Sequence, residues 1–260
     1  MPTTETTPLS ESTLQEENKT ALEQTHVHNV YNVIADHFSA TRYKPWPVVD
    51  TFLKDLEIGS IGADVGCGNG KYLGVNQQVV TVGSDRSDKL IAICRDRGFE
   101  AMVCDNLSLP YRESSFDFVL SIAVIHHFSS PERRIEAINE LLRILRPGGK
   151  VLIFVWAMEQ KGRRKFEAQD VFVPWHMPKR QYPANIPSSA PASQDSSQPA
   201  SQTPQTTTVR EDGDEEVVYQ RYYHLFVKGE LDDLVIKAGG AEIVDSGYDR
   251  DNWYIIARKT

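Results

Sequence analysis

Asp64-Val65-Gly66-Cys67-Gly68-Asn69-Gly70 places an acid ahead of glycines at alternate positions. Glycine has no Cβ, so such a segment turns tightly and lets its backbone approach a ligand. A dinucleotide fingerprint of spacing G-x-G-x-x-G needs glycine at position 71, where the chain has Lys71. The acid matters too: Asp64 can receive an amino group, whereas it would repel a pyrophosphate. Asp85 follows the loop by about 20 residues, the separation from which a carboxylate reaches both hydroxyls of a ribose. Cys104-Asp105-Asn106 comes next, and Asp105 can accept from an adenine amino group. Either acid alone reads equally well as a turn residue. Together, with Cys67, Asn69, Arg86, Asn106 and Leu107 beside them, they describe a pocket for an adenosine bearing an amino acid, which is S-adenosylmethionine.

Such acids converge only if strands deliver them. Gly62 to Val65, Val79 to Ser84, Ala101 to Cys104, Phe116 to Ser121 and Lys150 to Val155 read as short buried strands separated by helices. The best-defined helix is Pro131 to Arg146, capped by Ser130, with Ile135, Ile138, Leu141, Leu142 and Leu145 on one face. Apolar periodicity predicts further helices over Gln24 to Phe38, about Val48 to Leu56 and Gly229 to Ala238. Glu242 to Ser246 and Trp253 to Ala257 read as a closing hairpin. Repeated strand-helix units impose right-handed crossovers, hence an α/β doubly wound, Rossmann-like sheet with its ligand at the carboxyl ends of the strands.

The 260 residues, 40% of them hydrophobic, suffice for one substantial core. Residues 1–22 read as a disordered tail and 23–260 as one domain, interrupted at 183–216 by a Pro-, Ser- and Gln-rich, then acidic, insertion expected to be disordered. No apolar run approaches the roughly 20 residues of a membrane span. Cys67, Cys94 and Cys104 are scattered, giving neither a disulfide framework nor a metal site, so a reducing compartment is expected, cytoplasmic with the nucleus as a second location. A net charge of −8 argues against indiscriminate binding to nucleic acid. Locally, Lys161, Arg163, Arg164, Lys165, Lys179 and Arg180 outnumber Glu167 and Asp170, which favours contact with RNA over a merely solvated basic face.

The pocket motifs resemble class I methyltransferases, whose fold implies a mostly parallel seven-stranded sheet with an antiparallel C-terminal hairpin and helices on both faces. Other segments are similar to a narrower family, the eukaryotic tRNA wobble-uridine carboxymethyl methyltransferases. They include Thr41-Arg42-Tyr43-Lys44-Pro45-Trp46-Pro47, Ile125-His126-His127, Gln169 to Trp175, Arg221-Tyr222-Tyr223-His224-Leu225 and Tyr248 to Trp253. The resemblance covers about residues 24 to 258 apart from the insertion. It implies esterification of the 5-carboxymethyl group of the first anticodon uridine. It also implies a heterodimer with a small zinc-binding activator protein, for which the expected docking site is the sheet edge from Phe99 to Cys104, with Phe99 and Met102 as contacts.

A carboxylate, which ordinarily titrates at about pH 4, is already ionised at neutral pH and needs no general base. Orientation beside measured positive charge is the requirement. Arg250 is the leading candidate, with Arg42, Lys44 and Arg164 behind it. His127, ahead of His126, follows the fourth strand where the acceptor is expected, although either could be an ordinary core histidine. Tyr31 and His37 lie on the entering helix. An anticodon loop is gripped by aromatic stacking and by cations, for which Trp156, Arg163, Trp175, Tyr222, Asn252 and Trp253 are candidates. Two other readings stay open: a methyltransferase of a small-molecule carboxylate or quinone, and a non-catalytic scaffold that binds RNA or a partner.

Overall fold

Strands buried on both faces, flanked by helices with a single apolar stripe, set the architecture. The computed structural model describes residues 7–8, 16–42, 44–162, 165–178, 203, 205–209 and 215–260. In chain order the elements are β1 (Thr7–Pro8), α1 (Glu16–Glu23), α2 (Asn29–Thr41), α3 (Pro47–Lys54), β2 (Ile61–Val65), β3 (Val80–Asp85), α4 (Asp88–Asp96), β4 (Ala101–Val103), β5 (Phe116–Ile122), α5 (Pro131–Ile144), β6 (Leu145–Trp156), β7 (Asp170–Pro178), β8 (Gln205–Val209), β9 (Glu215–His224), α6 (Glu230–Ala238), β10 (Ala241–Asp249) and β11 (Asn252–Lys259). A wider π-type turn, Gln24–His28, joins α1 to α2.

One sheet runs β10-β11-β6-β5-β2-β3-β4. β6, β5, β2, β3 and β4 are parallel, and the β10–β11 hairpin is antiparallel, as the sequence predicts. On one face Val119, Val151 and Ile153 pack with Ile138 and Leu141 of α5 and Leu234 and Val235 of α6. On the other, Phe118, Leu120, Leu152 and Phe154 meet Val49, Phe52 and Leu53 of α3. Burial on both faces explains why these strands read as continuous apolar runs. After β4 the chain returns to lay β5 beside β2, and this reversal opens a crevice at the carboxyl ends of the strands.

The structure corrects several expectations. The glycine loop does not open a helix; successive turns, among them the four-residue turn closed by the Leu73 N–H donating to the Gly70 carbonyl, carry Gly70 to Val75. The span taken as a tail contains α1, anchored by Glu23, 1% exposed, which accepts from the Ser129 backbone N–H (2.8 Å) and the Arg133 Nε–H (2.9 Å). Gln205–Val209 and the start of β9, inside the supposed insertion, are paired strands. They belong to a second, antiparallel sheet of order β1-β7-β9-β8 that the sequence pattern does not announce. Alternate burial of Val171, Val173, Trp175 and Met177 gives β7 its inward face, against which α2 packs Val30 and Ile34. This sheet stands over the crevice as its outer wall.

Candidate active site

A cavity of about 580 Å³ fills the crevice. Its inner wall is the glycine loop. Gly66, Gly68 and Gly70 have φ of +82°, +56° and +78°, and the N–H groups of Gly66 and Cys67 both donate to the Ser84 carbonyl (2.7 and 2.9 Å), tying the loop to β3. A Cβ on Gly66 would lie 2.3 Å from Val124 Cγ2, so close packing and backbone conformation both require glycine there. Asp85 accepts from the N–H of Gly68 and of Ser87, each at 2.9 Å, and burial pushes its carboxyl up. Asn69 donates to the Arg42 carbonyl (3.0 Å) and so ties the loop to the end of α2. The Cys67 thiol is pushed well up by its hydrogen bond with Cys94 and by burial, which makes it a packing group rather than a nucleophile.

The residues present fit S-adenosylmethionine. Asp64, 1% exposed at the end of β2, has no partner for either carboxylate oxygen, and burial raises its pKa to about 7 against the opposing pull of Lys71. An orphaned buried carboxylate is costly unless a cation meets it, and a methionine ammonium is such a cation. Lys71 itself is lowered to about 8 by burial, its ammonium resting over the rings of Tyr72 (4.4 Å) and Trp46 (5.0 Å). At the adenine end, Asp105 is engaged by Arg86, whereas both amide atoms of Asn106 are buried without partners. Asn106 therefore suits the adenine edge better than Asp105 does.

The outer half of the cavity is aromatic and held by hydrogen bonds of definite direction. His127 Nδ1 lies 2.9 Å from the Tyr222 carbonyl and must donate, which leaves Nε2 to accept from Tyr31 Oη at 3.1 Å. Tyr223 Oη, 3.1 Å from Tyr31 Oη, then donates to it and accepts from Arg221 at 2.9 Å. His126 Nδ1 accepts from the Trp156 backbone N–H (3.1 Å), so its proton sits on Nε2, a buried donor without a partner. Burial lowers both imidazoles, His127 to about 3, and keeps them neutral. The rings of Trp156 and Tyr223 stack at 4.5 Å.

Of the candidates named from sequence, the cavity wall carries Tyr31, Arg42, Lys44, Gly66, Cys67, Gly68, Asn69, Asp85, Arg86, Asp105, Asn106, His126, His127, Trp156, Arg250 and Asn252. Arg250 is presented by a two-residue turn in which it and Asp251 have φ of +48° and +66°, and Asn252 fixes that turn by donating to the Arg250 carbonyl at 2.7 Å. Others stand elsewhere. Asp64 lies one residue behind the wall. Gly70 packs against Phe99, and Leu107 joins the main core. Trp175 Nε1 donates to His37 Nδ1 (3.1 Å) outside the cavity; Tyr222 turns its hydroxyl to Asp170, and Trp253 donates to Glu159 (3.0 Å). Arg163 and Arg164, with Lys179 and Arg180, lie outside the described residues.

Sequence reasoning missed Arg221, His28 and Lys71 as wall residues. A signal existed for the first: Arg221 is a lone charge in the run Val217-Val218-Tyr219-Gln220-Arg221-Tyr222-Tyr223, and a buried polar residue is the informative exception.

Residues 63–153 match the family of methyltransferase domains. Among solved structures, the CcbJ methyltransferase from Streptomyces caelestis superposes with a TM-score of 0.64 at 13% identity, covering 90% of this chain and 98% of that one. The [4+2]-cyclase SpnF gives 0.58 at 16% identity, covering 92% and 96%; such likeness shows the fold, not the chemistry. Sequence relatives are far more similar. The tRNA (carboxymethyluridine(34)-5-O)-methyltransferase of Schizosaccharomyces pombe is 52% identical over 91% of this chain and 97% of its own length. The enzyme of the same name from Saccharomyces cerevisiae is 44% identical over 91% and 96%. The Xenopus tropicalis relative is 40% identical over 96% of this chain, which spans 43% of that longer protein. With similarity of this degree along nearly the whole length of the two fungal relatives, the chain belongs to the tRNA (carboxymethyluridine(34)-5-O)-methyltransferase family.

Proposed function

We propose that this protein methylates the carboxylate of 5-carboxymethyluridine at the wobble position of tRNA, giving the methyl ester. The observation that carries the reading is the partition of one cavity into a cofactor wall, backed by the orphaned Asp64, and an outer wall of neutral imidazoles and aromatic rings. When bound, S-adenosylmethionine supplies an electrophilic methyl group. The protein must exclude water, align the acceptor and avoid competing for its charge. Neither histidine has to act as a base, because the acceptor is ionised already, and neither imidazole is free to do so: Nδ1 of His126 and Nε2 of His127 both accept hydrogen bonds from the protein. Arg42, Lys44 and Arg250, exposed at the cavity mouth, suit the phosphates of an anticodon loop. Incubation with tRNA from cells lacking the activity, followed by nucleoside mass spectrometry, should yield the ester at the wobble uridine. Methylated metabolites with unmodified tRNA would instead support a small-molecule acceptor.

The heterodimer with a small zinc-binding activator is part of this proposal. In its support, β4 is a terminal strand of the sheet, with Met102 and Val103 41% and 53% exposed beside a shallow groove. Terminal strands and exposed apolar groups invite docking. Phe99, which packs against Gly70 and Gly74, also lines that groove and stays with Met102 as an expected contact. Met102→Glu should abolish co-purification of the partner; a complex that survives Met102→Glu and Val103→Glu together would place it elsewhere.

A further inference from the structure

We propose that Arg221 seats the acceptor carboxylate, an assignment that rests on the reading of the acceptor as a carboxylate. Arg221 lies on β9, is 4% exposed and reaches the cavity wall. Its guanidinium sits 4.7 Å from the ring of Trp175 and 5.2 Å from that of Tyr223. NH1 donates to Tyr223 Oη at 2.9 Å, and Nε is buried without a partner. No carboxylate among the described residues pairs with it.

The other arginines in comparable settings differ. Arg133 is bound to Glu23 and Arg143 to Glu140, each at 2.6 Å. Arg134, 3% exposed, lies in the field of Glu230 and Asp170. A buried cation without an anion is expensive, and the cost is recovered when a ligand brings the missing charge. Arginine is also the residue that matches a planar carboxylate through paired N–H donors.

The groups around Arg221 leave that role to it. The hydroxyls of Tyr223 and Tyr31 spend their protons along the chain ending at His127 Nε2, so neither offers a proton to an acceptor. His126, whose ring centroid lies 4.8 Å from that of Tyr223, carries a further unpartnered donor, Nε2–H. Arg221 and His126 both line the cavity, so a charged and a neutral N–H are available there to hold a carboxylate by hydrogen bonds without protonating it. A seat of this kind selects for charge: the carboxylate gains from Arg221 what an amide of the same shape does not.

The test compares anticodon stem-loops carrying 5-carboxymethyluridine or the isosteric 5-carbamoylmethyluridine, measuring affinity for both by fluorescence anisotropy and kcat/KM for the first. The full chain should favour the carboxylate by about tenfold or more. Arg221→Met should lose that preference and about 10²- to 10³-fold in kcat/KM, with S-adenosylmethionine affinity by calorimetry unchanged. Arg221→Lys, which keeps the charge without the fork, should recover part of the preference. A full preference in folded Arg221→Met, or none in the unaltered chain, overturns the assignment. If Arg221→Met does not fold, an Arg221→Lys variant with unchanged preference and unchanged kcat/KM overturns it as well. Failure of the unaltered chain to methylate the carboxymethyl substrate is a separate result and defeats the proposed function itself.

Discussion

Tyr31 Oη donates to His127 Nε2 across 3.1 Å, although 96 positions separate the two residues. The bond joins α2, which leads into the crevice, to the turn after β5. With the His127 tautomer set by the Tyr222 carbonyl, it fixes the position of the helix that ends at Arg42. Tyr31→Phe removes the donor and leaves a buried acceptor unpaired, a change that costs about 1–3 kcal/mol. Thermal denaturation should show that loss, together with a fall in kcat/KM and little change in cofactor affinity.

Asp64 makes folding and binding oppose each other. Its folded pKa, about 7, stands above the unfolded value of 3.8, so its favourable contribution is complete below pH 3.8 and is lost as pH rises through 7. Asp64→Asn should therefore stabilise the ligand-free protein on the order of 2–4 kcal/mol at pH 8, with the gain vanishing near pH 4. The same variant should lose cofactor affinity. Urea midpoints across pH, with and without S-adenosylmethionine, check both halves.

His127 and His28 act at the acidic end. Burial lowers them from 6.5 to about 3 and about 4. Because the unfolded state takes up protons first, stability should fall as pH drops from 6.5 towards 4 and 3. Replacing His28 by Asn should flatten the upper part of that slope, visible in midpoints between pH 6.5 and 4.

Gly66→Ala tests the loop. With φ at +82° and Val124 Cγ2 2.3 Å from the new Cβ, the variant meets both backbone strain and a clash. Calorimetry should show cofactor affinity lost, and pairing with Val124→Ala should restore only part of it because the strain of about 1–3 kcal/mol remains.

Salt should separate the two ligands. Phosphate contacts from Arg42, Lys44 and Arg250 would make tRNA affinity fall steeply between 50 and 200 mM salt, by about 10-fold or more, while cofactor affinity stays level. Equal and weak sensitivity of both would rule out a phosphate-binding role for the cationic mouth.

What could be read from sequence was what local spacing encodes. Asp64, the glycines and Asp85 occupy one loop and the next strand end, and their positions follow from strand-helix alternation alone. The wall opposite them could not be read that way, because β9 meets β7 only after the intervening Pro- and Ser-rich stretch and no periodicity announces that pairing. Arg221 and Tyr223 are consequently, in the sequence, a motif without a place. α1 escapes notice for a similar reason: the Ser129 N–H that Glu23 accepts lies 106 positions away.

The chemical nature of the product tests the proposed esterification most directly. After reaction of tRNA with methyl-labelled S-adenosylmethionine, mild alkali cleaves a methyl ester and releases the label as methanol, whereas a methyl on a base or ribose stays on the RNA. Alkali-labile label confined to the wobble nucleoside is the expected result; label that survives alkali, or none on tRNA at all, would contradict it.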